Sequence, residues 1–409
     1  MIIDSKPRLR LPWSFVRLVA SQGVSMLGDS FRTLTLMLWV YDASGGSAVQ
    51  LSWVVLAQLL PQIVLGPFAG AIVDRIDNIK AMIGSDLLRF VLGVVLLACA
   101  MAGNVPAALV TLALASAVGA VTDPAIQSAV HTLVDGDNLT RANGIFRVVE
   151  QSTFLVGPAA AAIAYSQWGA TAALAADAAS FLFAALMVWG LRAAPAQTAS
   201  SQRVRLLGEV FEGLQHVVHR RALRIALLVY LCVGLIAGVY RTLMIPFVAQ
   251  DLHLASEWVA TVNVTNGIAQ VAVGAALITL AHRAGHHGRM LVVTSAVIAA
   301  GAAVVAVSPG LPVLLLGIMV VAVGNMPFNV ALAGLQQTVP DREFRGRVVS
   351  VFESLSNAAY LIAAMASGAA AQAFGPRPVL AVAAAVMVLA TIIALPLRKA
   401  RAKAPLQAV

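Results

Sequence analysis

Long apolar runs recur along the whole chain, and they constrain its fold more than any other feature. With 60% apolar and only 11% charged residues, the chain cannot hide this surface in a water-soluble fold, because much of any domain's surface faces solvent. Most runs reach the length of about 20 residues that a helix needs to cross the hydrocarbon core of a bilayer. They lie near residues 13–40, 50–73, 81–102, 106–130, 143–164, 170–191, 222–248, 257–281, 289–308, 312–337, 348–373 and 378–397.

The continuity of these runs predicts helices. Inside hydrocarbon, only helices and closed barrels satisfy all backbone hydrogen bonds. Barrel strands alternate apolar and polar residues, whereas these runs are continuous and rich in Ala, Leu and Val. We therefore predict an all-α membrane protein with twelve transmembrane helices. The basic start, residues 1–13, contains no small-residue cleavage site, so the first run is expected to stay as a helix.

Lysine and arginine are concentrated in alternate connections, and both ends of the chain are basic. The other connections are short and contain a single basic residue, Arg377. Because cytoplasmic loops carry the excess of Lys and Arg, both termini are predicted to be cytoplasmic in a bacterial inner membrane. The net charge of +9 then reflects topology, and no nucleic-acid partner is expected. The connections that lack basic residues, apart from Arg377, are 41–49, 103–105, 165–169, 249–256, 309–311 and 374–377.

A long polar stretch divides the chain into two halves. Its second part has apolar residues at helical spacing, including Leu214 and Val217, which predicts an amphipathic helix on the cytoplasmic surface. Residues 133–141 also resemble residues 338–347, and parallel repeats of this kind imply two related bundles with a substrate site at their interface. The predicted domains are an N-terminal six-helix bundle at 1–191, a linker at 192–221, a C-terminal six-helix bundle at 222–397 and a basic tail at 398–409.

The loop after the second run carries Gly70, Asp74, Arg75 and, further on, Lys80. It resembles the signature loop of the major facilitator superfamily, although Asp77 and Asn78 stand where glycine and a basic residue are usual. The segments Gly66-Pro67, Ser85 to Arg89, Leu139 to Asn143 and Arg345 to Arg347 are similar to the branch that contains macrolide-efflux proteins and enterobactin exporters. The resemblance implies two pseudo-symmetric six-helix bundles and a protein that transports small molecules as a monomer.

The resemblance also implies that this loop latches the cytoplasmic side during transport. An ordinary charged turn is the alternative. The predicted latch residues are Gly70, Asp74, Arg75, Lys80, Asp86, Arg89 and Asp123. In the corresponding loop of the second half, His282, His286 and His287 are expected to be solvated and not to bind metal.

Charged residues within the predicted spans are the candidates for proton coupling, since each is costly unless it is paired or hydrated. Asp29 and Arg32, like Arg147 and Glu150, are three residues apart and therefore share a helix face. Carboxylates in such surroundings are candidates for proton exchange. Asp29 is the favoured coupling site and Glu150 the second, with fixed structural pairs as the alternative. Asp177, a lone acid, is expected to reach towards the membrane surface.

Two further features point to transport. Gly157 and Pro158 resemble the core of an antiporter motif in this family and predict a helix kink, with a tolerated kink as the alternative. Amides scattered through apolar helices are predicted to line a substrate cavity, the alternative being helix-packing contacts. The predicted cavity residues are Gln58, Gln62, Asn263, Asn266, Gln270, Asn325, Asn329, Asn357 and Tyr360.

Proton-coupled efflux of a small amphipathic molecule, such as a drug, a natural product or a siderophore, is the predicted function. The sequence shows no phosphate-binding glycine-lysine loop, metal-ligand set or nucleophile–base pair, so no enzyme activity, cofactor or metal is expected. The partners are then the substrate, protons and the lipid bilayer. Two alternatives remain open: an importer or facilitator of a small nutrient, and a membrane sensor or assembly partner that transports nothing.

Overall fold

Helices make up every regular element in the part of the chain that the computed structural model describes, residues 11–73, 76–134, 136–191, 206–280 and 287–399. Short π- or 3-10 segments follow or precede some of them, at Phe247–Asp251, Arg342–Phe344 and Leu395–Lys399. The helices are α1 (Trp13–Ala43), α2 (Ala48–Val73), α3 (Asn78–Met101), α4 (Val105–Gly119), α5 (Thr122–Leu133), α6 (Gly136–Val188), α7 (Leu206–His219), α8 (Arg221–Pro246), α9 (Trp258–Leu280), α10 (His287–Val307), α11 (Leu311–Thr338), α12 (Arg345–Phe374) and α13 (Pro376–Ala394).

These helices account for all twelve predicted spans. Within the described residues, 10 helical stretches are long and apolar enough to cross a membrane. One of them lies in α6, which is 53 residues long and breaks at Gly169, where φ is 78°, so α6 supplies two spans. The twelfth is α1, which is more polar because Asp29 and Arg32 interrupt it. The prediction of an all-α membrane protein is confirmed.

Local sequence explains several helix ends. Asp77 caps α3, and its carboxylate accepts hydrogen bonds from the backbone N–H groups of Ile79 at 2.9 Å and Lys80 at 3.2 Å, which satisfies donors that have no partner in the first turn. Gly375 separates α12 from α13 with a φ of 83°, a conformation that glycine adopts without strain. Asp77 therefore has a structural role at the position where the family resemblance suggested glycine.

The chain forms two units, and their boundaries differ from the predicted domains. The N-terminal unit comprises residues 1–39 and 57–202, and the C-terminal unit comprises 40–56 and 203–409. Residues 40–56 group with the C-terminal unit, and side chains of that unit contact them. Gln250 donates hydrogen bonds to the Tyr41 hydroxyl at 3.2 Å and to the Gly46 carbonyl at 2.9 Å. Hydrophobic periodicity does not report such long-range contacts, so the sequence alone placed these residues in the N-terminal half.

Helix α7 lies within the predicted linker, and it belongs to the C-terminal unit. Glu212 accepts a hydrogen bond from Arg347 at 2.6 Å, and the His216 ring stacks on Phe344 with a centroid distance of 4.5 Å. Val217 is fully buried while Glu212 is exposed, as expected for an amphipathic helix. Helix α7 is thereby attached to the start of α12.

Glycines bring α10 and α11 into close contact in the C-terminal unit. A Cβ atom added to Gly317 would lie 2.8 Å from Val305 Cγ2 and 2.9 Å from the Val305 nitrogen. At Gly301 it would lie 2.6 Å from the Val321 nitrogen. Small residues allow such backbone approach in membrane bundles, where packing replaces the hydrophobic effect as the driving force between helices.

Replacing Gly317 with Leu should therefore destabilise the protein, because the larger side chain has to displace backbone atoms of α10. Overpacking of this kind costs about 1–3 kcal/mol, which should lower the midpoint of thermal unfolding measured by tryptophan fluorescence in detergent. Gly346→Leu is the control, since nothing lies within 4 Å of a Cβ at Gly346. Equal midpoints for the two variants would contradict this account of the α10–α11 contact.

Candidate functional site

Five charged residues from three helices meet inside the N-terminal unit. We call Asp29 and Arg32 of α1, Asp86 and Arg89 of α3, and Asp177 of α6 the charge cluster. The side chains of Asp86 and Asp177 have no solvent exposure, and both arginines are buried. Only Asp29 is partly accessible, with 34% of its side chain exposed. Charged groups at this depth have to be compensated by one another.

Asp29 is the acceptor at the centre of the cluster. Its Oδ1 atom accepts hydrogen bonds from Arg32 Nη2 and, at 2.5 Å, from Arg89 Nη2. Arg32 also extends its other terminal nitrogen towards α6, where Nη1 lies 3.6 Å from Asp177 Oδ2. Arg89 thus links α3 to α1 through a charge-assisted hydrogen bond, the stronger class of hydrogen bond, and Arg32 links α1 to α6 through an ion pair.

An aromatic ring supports both arginines. The Phe181 ring of α6 is fully buried, and its centroid lies 4.0 Å from the Arg89 guanidinium carbon and 5.4 Å from that of Arg32. A cation over an aromatic face is attracted by the ring quadrupole, and the attraction strengthens when the pair is desolvated. Phe181 therefore replaces part of the hydration that the guanidinium groups lose on burial.

Small residues set the helix distances that the cluster needs. A Cβ atom on Gly28 would overlap the Ser180 side chain and lie 3.2 Å from Asp177 Oδ1. On α3, a Cβ on Gly93 would lie 3.0 Å from the Cβ of Ala178. Because neither glycine has a side chain, α1 and α3 can both approach α6 around Asp177.

Further hydrogen bonds join α1 to α6 and α3 to α5. On α1, Ser21 donates to the Ala184 carbonyl at 3.1 Å, and Arg17 Nε donates to the Met187 carbonyl at 2.8 Å. Beside Asp86, the Ser85 and Thr122 hydroxyls lie 2.7 Å apart and form a buried hydrogen bond between α3 and α5. These contacts restrict the relative movement of the helices that hold the cluster.

The charges of the cluster do not balance. Three carboxylates face two guanidinium groups, which leaves one negative charge in excess when all five are ionised. Both carboxylate oxygens of Asp86 and of Asp177 have no hydrogen-bond partner within the described structure. Binding one proton neutralises the cluster, so reversible protonation is the chemistry that this arrangement can perform.

The structure brings together only some of the predicted site residues. Asp29 and Arg32 form the expected pair, but Arg89, which the family resemblance assigned to the latch, is the second partner of Asp29. The expectation that Asp177 reaches the surface is wrong, because α6 packs against α1 at Gly28 and encloses it. One sequence pattern could have indicated the larger cluster: Asp86 and Arg89 have the same three-residue spacing as Asp29 and Arg32.

The second predicted coupling pair, Arg147 and Glu150, lies at an exposed position and outside the buried charge cluster. Arg147 Nη1 lies 2.7 Å from Glu150 Oε2 on α6, and their side chains are 75% and 40% exposed. Within the same helix, a Cβ on Gly157 would overlap the Ser30 side chain of α1. The non-helical dihedral angles of α6 lie at Gly169 and not at Pro158, so Gly157 acts as a close-contact position and the functional kink stays a prediction.

The latch falls largely on residues that the structure does not describe. Asp74 and Arg75 lie outside the described residues, and neither the surroundings of Gly70 nor the side chain of Asp123 are described. Lys80 is exposed in the first turn of α3. The latch therefore stays a prediction.

Most of the predicted cavity residues pair with neighbours in their own unit. In the C-terminal unit, Gln270 donates to Asn266 at 3.2 Å and Asn329 donates to the side chain of Asn325 at 2.9 Å. These pairs lie on α9 and α11, which pack against each other where Gly274 meets Met326. In the N-terminal unit, Gln58 donates to Thr33 at 2.8 Å. Asn263 and Tyr360 are half-buried, and Gln62 and Asn357 are exposed.

Comparison with known proteins identifies the relatives of this chain. Residues 18–335 match the family model of the Major Facilitator Superfamily. Macrolide efflux protein A of Streptococcus pyogenes is 31% identical over 176 residues, 42% of this chain, and the match spans only 43% of that relative's length. Multidrug efflux pump Tap of Mycolicibacterium fortuitum is 28% identical over 356 residues, 84% of this chain and 86% of the relative.

Solved structures show the same fold at low sequence identity. The nucleoside transporter NupG has a TM-score of 0.78 at 13% identity, covering 95% of this chain and 100% of that one. A bacterial homologue of the iron transporter ferroportin in an inward-facing state has a TM-score of 0.73 at 15% identity, covering 95% and 99% of the two chains. The predicted major facilitator fold is confirmed.

The Asp29–Arg32 and Arg147–Glu150 pairs share a three-residue spacing, but they should differ sharply in their contribution to the free energy of unfolding. Arg32→Ala leaves Asp29 and Asp177 short of a buried counterion, and breaking a buried pair costs about 3–5 kcal/mol. Arg147→Ala removes an exposed pair worth about 0–1 kcal/mol. We expect the thermal unfolding midpoint in detergent to fall clearly for Arg32→Ala and to change little for Arg147→Ala. Equal effects would show that burial does not distinguish these pairs.

Proposed function

Because this chain belongs to the Major Facilitator Superfamily, we propose that it exports a small amphipathic molecule from the cell in exchange for protons. The matched relatives and the family are transporters and not enzymes. The observation that carries the proton-coupled mechanism is the unbalanced charge cluster inside the membrane-spanning part of the N-terminal unit.

The direction of transport is inferred from the relatives. Macrolide efflux protein A and multidrug efflux pump Tap both carry efflux in their names, and Tap matches this chain over 86% of its own length. The structural neighbours share only the fold and do not bear on direction. We therefore propose export from the cytoplasm. A proton assay in vesicles and intact cells distinguishes export from import.

Proton coupling is supported by the chemistry of the cluster. A drug exporter driven by the proton gradient needs a group that gains and loses a proton while it remains inside the membrane. Asp29 is the accessible member of a set that carries one excess negative charge, and it is hydrogen-bonded to both arginines. A change in the protonation of the cluster would alter these contacts and thereby the link between α1, α3 and α6.

The proposed cargo follows from the distribution of polar groups. The amides on α9 and α11 supply neutral donors and acceptors in otherwise apolar helices, and Asn266 and Asn325 are only half-buried. Fixed charge is sparse along these two helices. Such a surface suits a molecule with a large apolar body and a few polar groups, which is the chemical character of a macrolide.

The proposed setting is a bacterial inner membrane, with the protein acting as a monomer and both termini in the cytoplasm. The distribution of Lys and Arg supports this orientation. The basic residue that departs from it, Arg377, is compensated locally. Its guanidinium group lies 3.3 Å from Asp251 Oδ1 and 5.3 Å from the centre of the Phe247 ring.

Everted membrane vesicles test the proposal directly. With the lumen acidified by respiration and a pH-sensitive dye inside, adding a macrolide should release lumenal protons only when the protein is present. Alkalinisation of the external medium when a nutrient is added to intact cells would instead indicate proton-coupled import. The absence of a proton signal across drugs, siderophores and nutrients would contradict proton-coupled transport and favour a sensor or assembly role.

Replacing Asp29 with Asn should abolish proton release driven by the macrolide. The substitution leaves two carboxylates facing two guanidinium groups, so the cluster is already neutral and has no excess charge for a proton to satisfy. Glu150→Gln is the control, because Glu150 belongs to the exposed pair on α6, and it should retain the signal. Normal coupling in the Asp29→Asn variant at wild-type expression would remove Asp29 from the coupling site.

A further inference from the structure

Asp86 is the least compensated charged group in the cluster. It has no solvent exposure, and neither carboxylate oxygen has a hydrogen-bond partner in the described structure. Within that structure no Lys or Arg nitrogen lies within 4.0 Å of its carboxylate, whereas Asp29 has two such neighbours and Asp177 has one. A buried ionised carboxylate without a partner is costly, and the usual escape is neutralisation.

We propose that Asp86 holds the exchanged proton, and that Asp29 is the standing counterion of the two arginines. This inference rests on the proton-coupled function proposed above and assigns its proton to one residue. With Asp86 neutral, two carboxylates face two guanidinium groups and the charges of the cluster balance. The two acids that remain ionised are the two that have arginine neighbours.

The surroundings of Asp86 fit a proton site whose state is transmitted to other helices. The charged groups that interact with it are Arg89 on its own helix and Asp29 on α1. Between α3 and α5, the neighbouring Ser85–Thr122 hydrogen bond involves groups that do not titrate.

Loss of the proton creates a competition for Arg89. When the Asp86 carboxyl group releases a proton to water, its carboxylate gains a full negative charge three residues from Arg89, on the same helix face. Arg89 can then leave Asp29 and pair with Asp86, while Asp29 keeps Arg32 and hydrates its exposed edge. The link between α1 and α3 is thereby broken, and rebinding of a proton restores it.

Replacing each acid of the cluster with Asn, which is neutral and similar in shape, identifies the acid that is already protonated in the wild type. Asn resembles protonated Asp in shape and charge, so Asp86→Asn should leave the thermal unfolding midpoint of the purified protein at pH 7 close to that of the wild type. Asp177→Asn and Asp29→Asn each remove a counterion of Arg32 and should lower the midpoint by several degrees. A stable Asp177→Asn together with a destabilised Asp86→Asn would move the proton to Asp177 and overturn the proposal.

The pH dependence of stability provides a second readout that a purely structural role does not produce. If the folded protein holds a proton that the unfolded chain does not, stability is present at lower pH and is lost as pH rises. The wild-type midpoint should therefore fall between about pH 5 and pH 8 by more than that of Asp86→Asn. Parallel curves for the two proteins would refute the assignment.

Infrared spectroscopy and transport complete the test. The wild type should show the carbonyl band of a protonated carboxylic acid, shifted in deuterated water, and Asp86→Asn should lack it. In proteoliposomes, this variant should still exchange labelled macrolide across the membrane but release no protons. The infrared and thermal-unfolding measurements use the purified protein without substrate. If Asp86→Asn keeps the carbonyl band and the midpoints of the variants do not differ as expected, the Asp86 assignment is overturned even where export is demonstrated. If the vesicle assay fails, these two measurements can still be interpreted.

Discussion

The pairing of Asp29 with two buried arginines is the interaction on which the N-terminal unit depends. Charged side chains are rare in spanning helices because each loses its hydration, and here one carboxylate compensates Arg32 and Arg89 together. The three helices that supply these groups cannot separate without exposing a guanidinium group to an apolar medium. In the proposed mechanism, the same contacts that hold α1, α3 and α6 together also respond to the binding of a single proton.

Close packing is the condition that makes this pairing possible. Gly28 and Gly93 remove side chains where α1 and α3 approach α6, and Phe181 covers both guanidinium groups from the α6 side. Without these small residues the arginines would lie too far from Asp177 and from the ring to be compensated. Packing and electrostatics thus act at the same place, and neither explains the cluster alone.

The two units carry different polar chemistry. The N-terminal unit concentrates ionised groups in its interior, whereas polar side chains on α9 and α11 of the C-terminal unit are mainly amides that pair along each helix. Two ion pairs of the C-terminal unit, Arg377–Asp251 and Arg347–Glu212, involve arginines in the first turns of α13 and α12. This asymmetry supports a division of labour in which one unit exchanges protons and the other offers neutral hydrogen-bonding groups to a lipophilic cargo.

The amino-acid sequence specifies the membrane environment, the helices and the family resemblance, because hydrophobic run length and the need to satisfy the backbone in lipid are local properties of the chain. It also identified Asp29 and Arg32 as a pair, since three-residue spacing fixes a shared helix face. The fold was needed to show that Arg89 joins them, that Asp177 is enclosed, and that residues 40–56 group with the C-terminal unit. These facts depend on which helices become neighbours and how closely glycines let them approach, and periodicity within one helix carries no information about either.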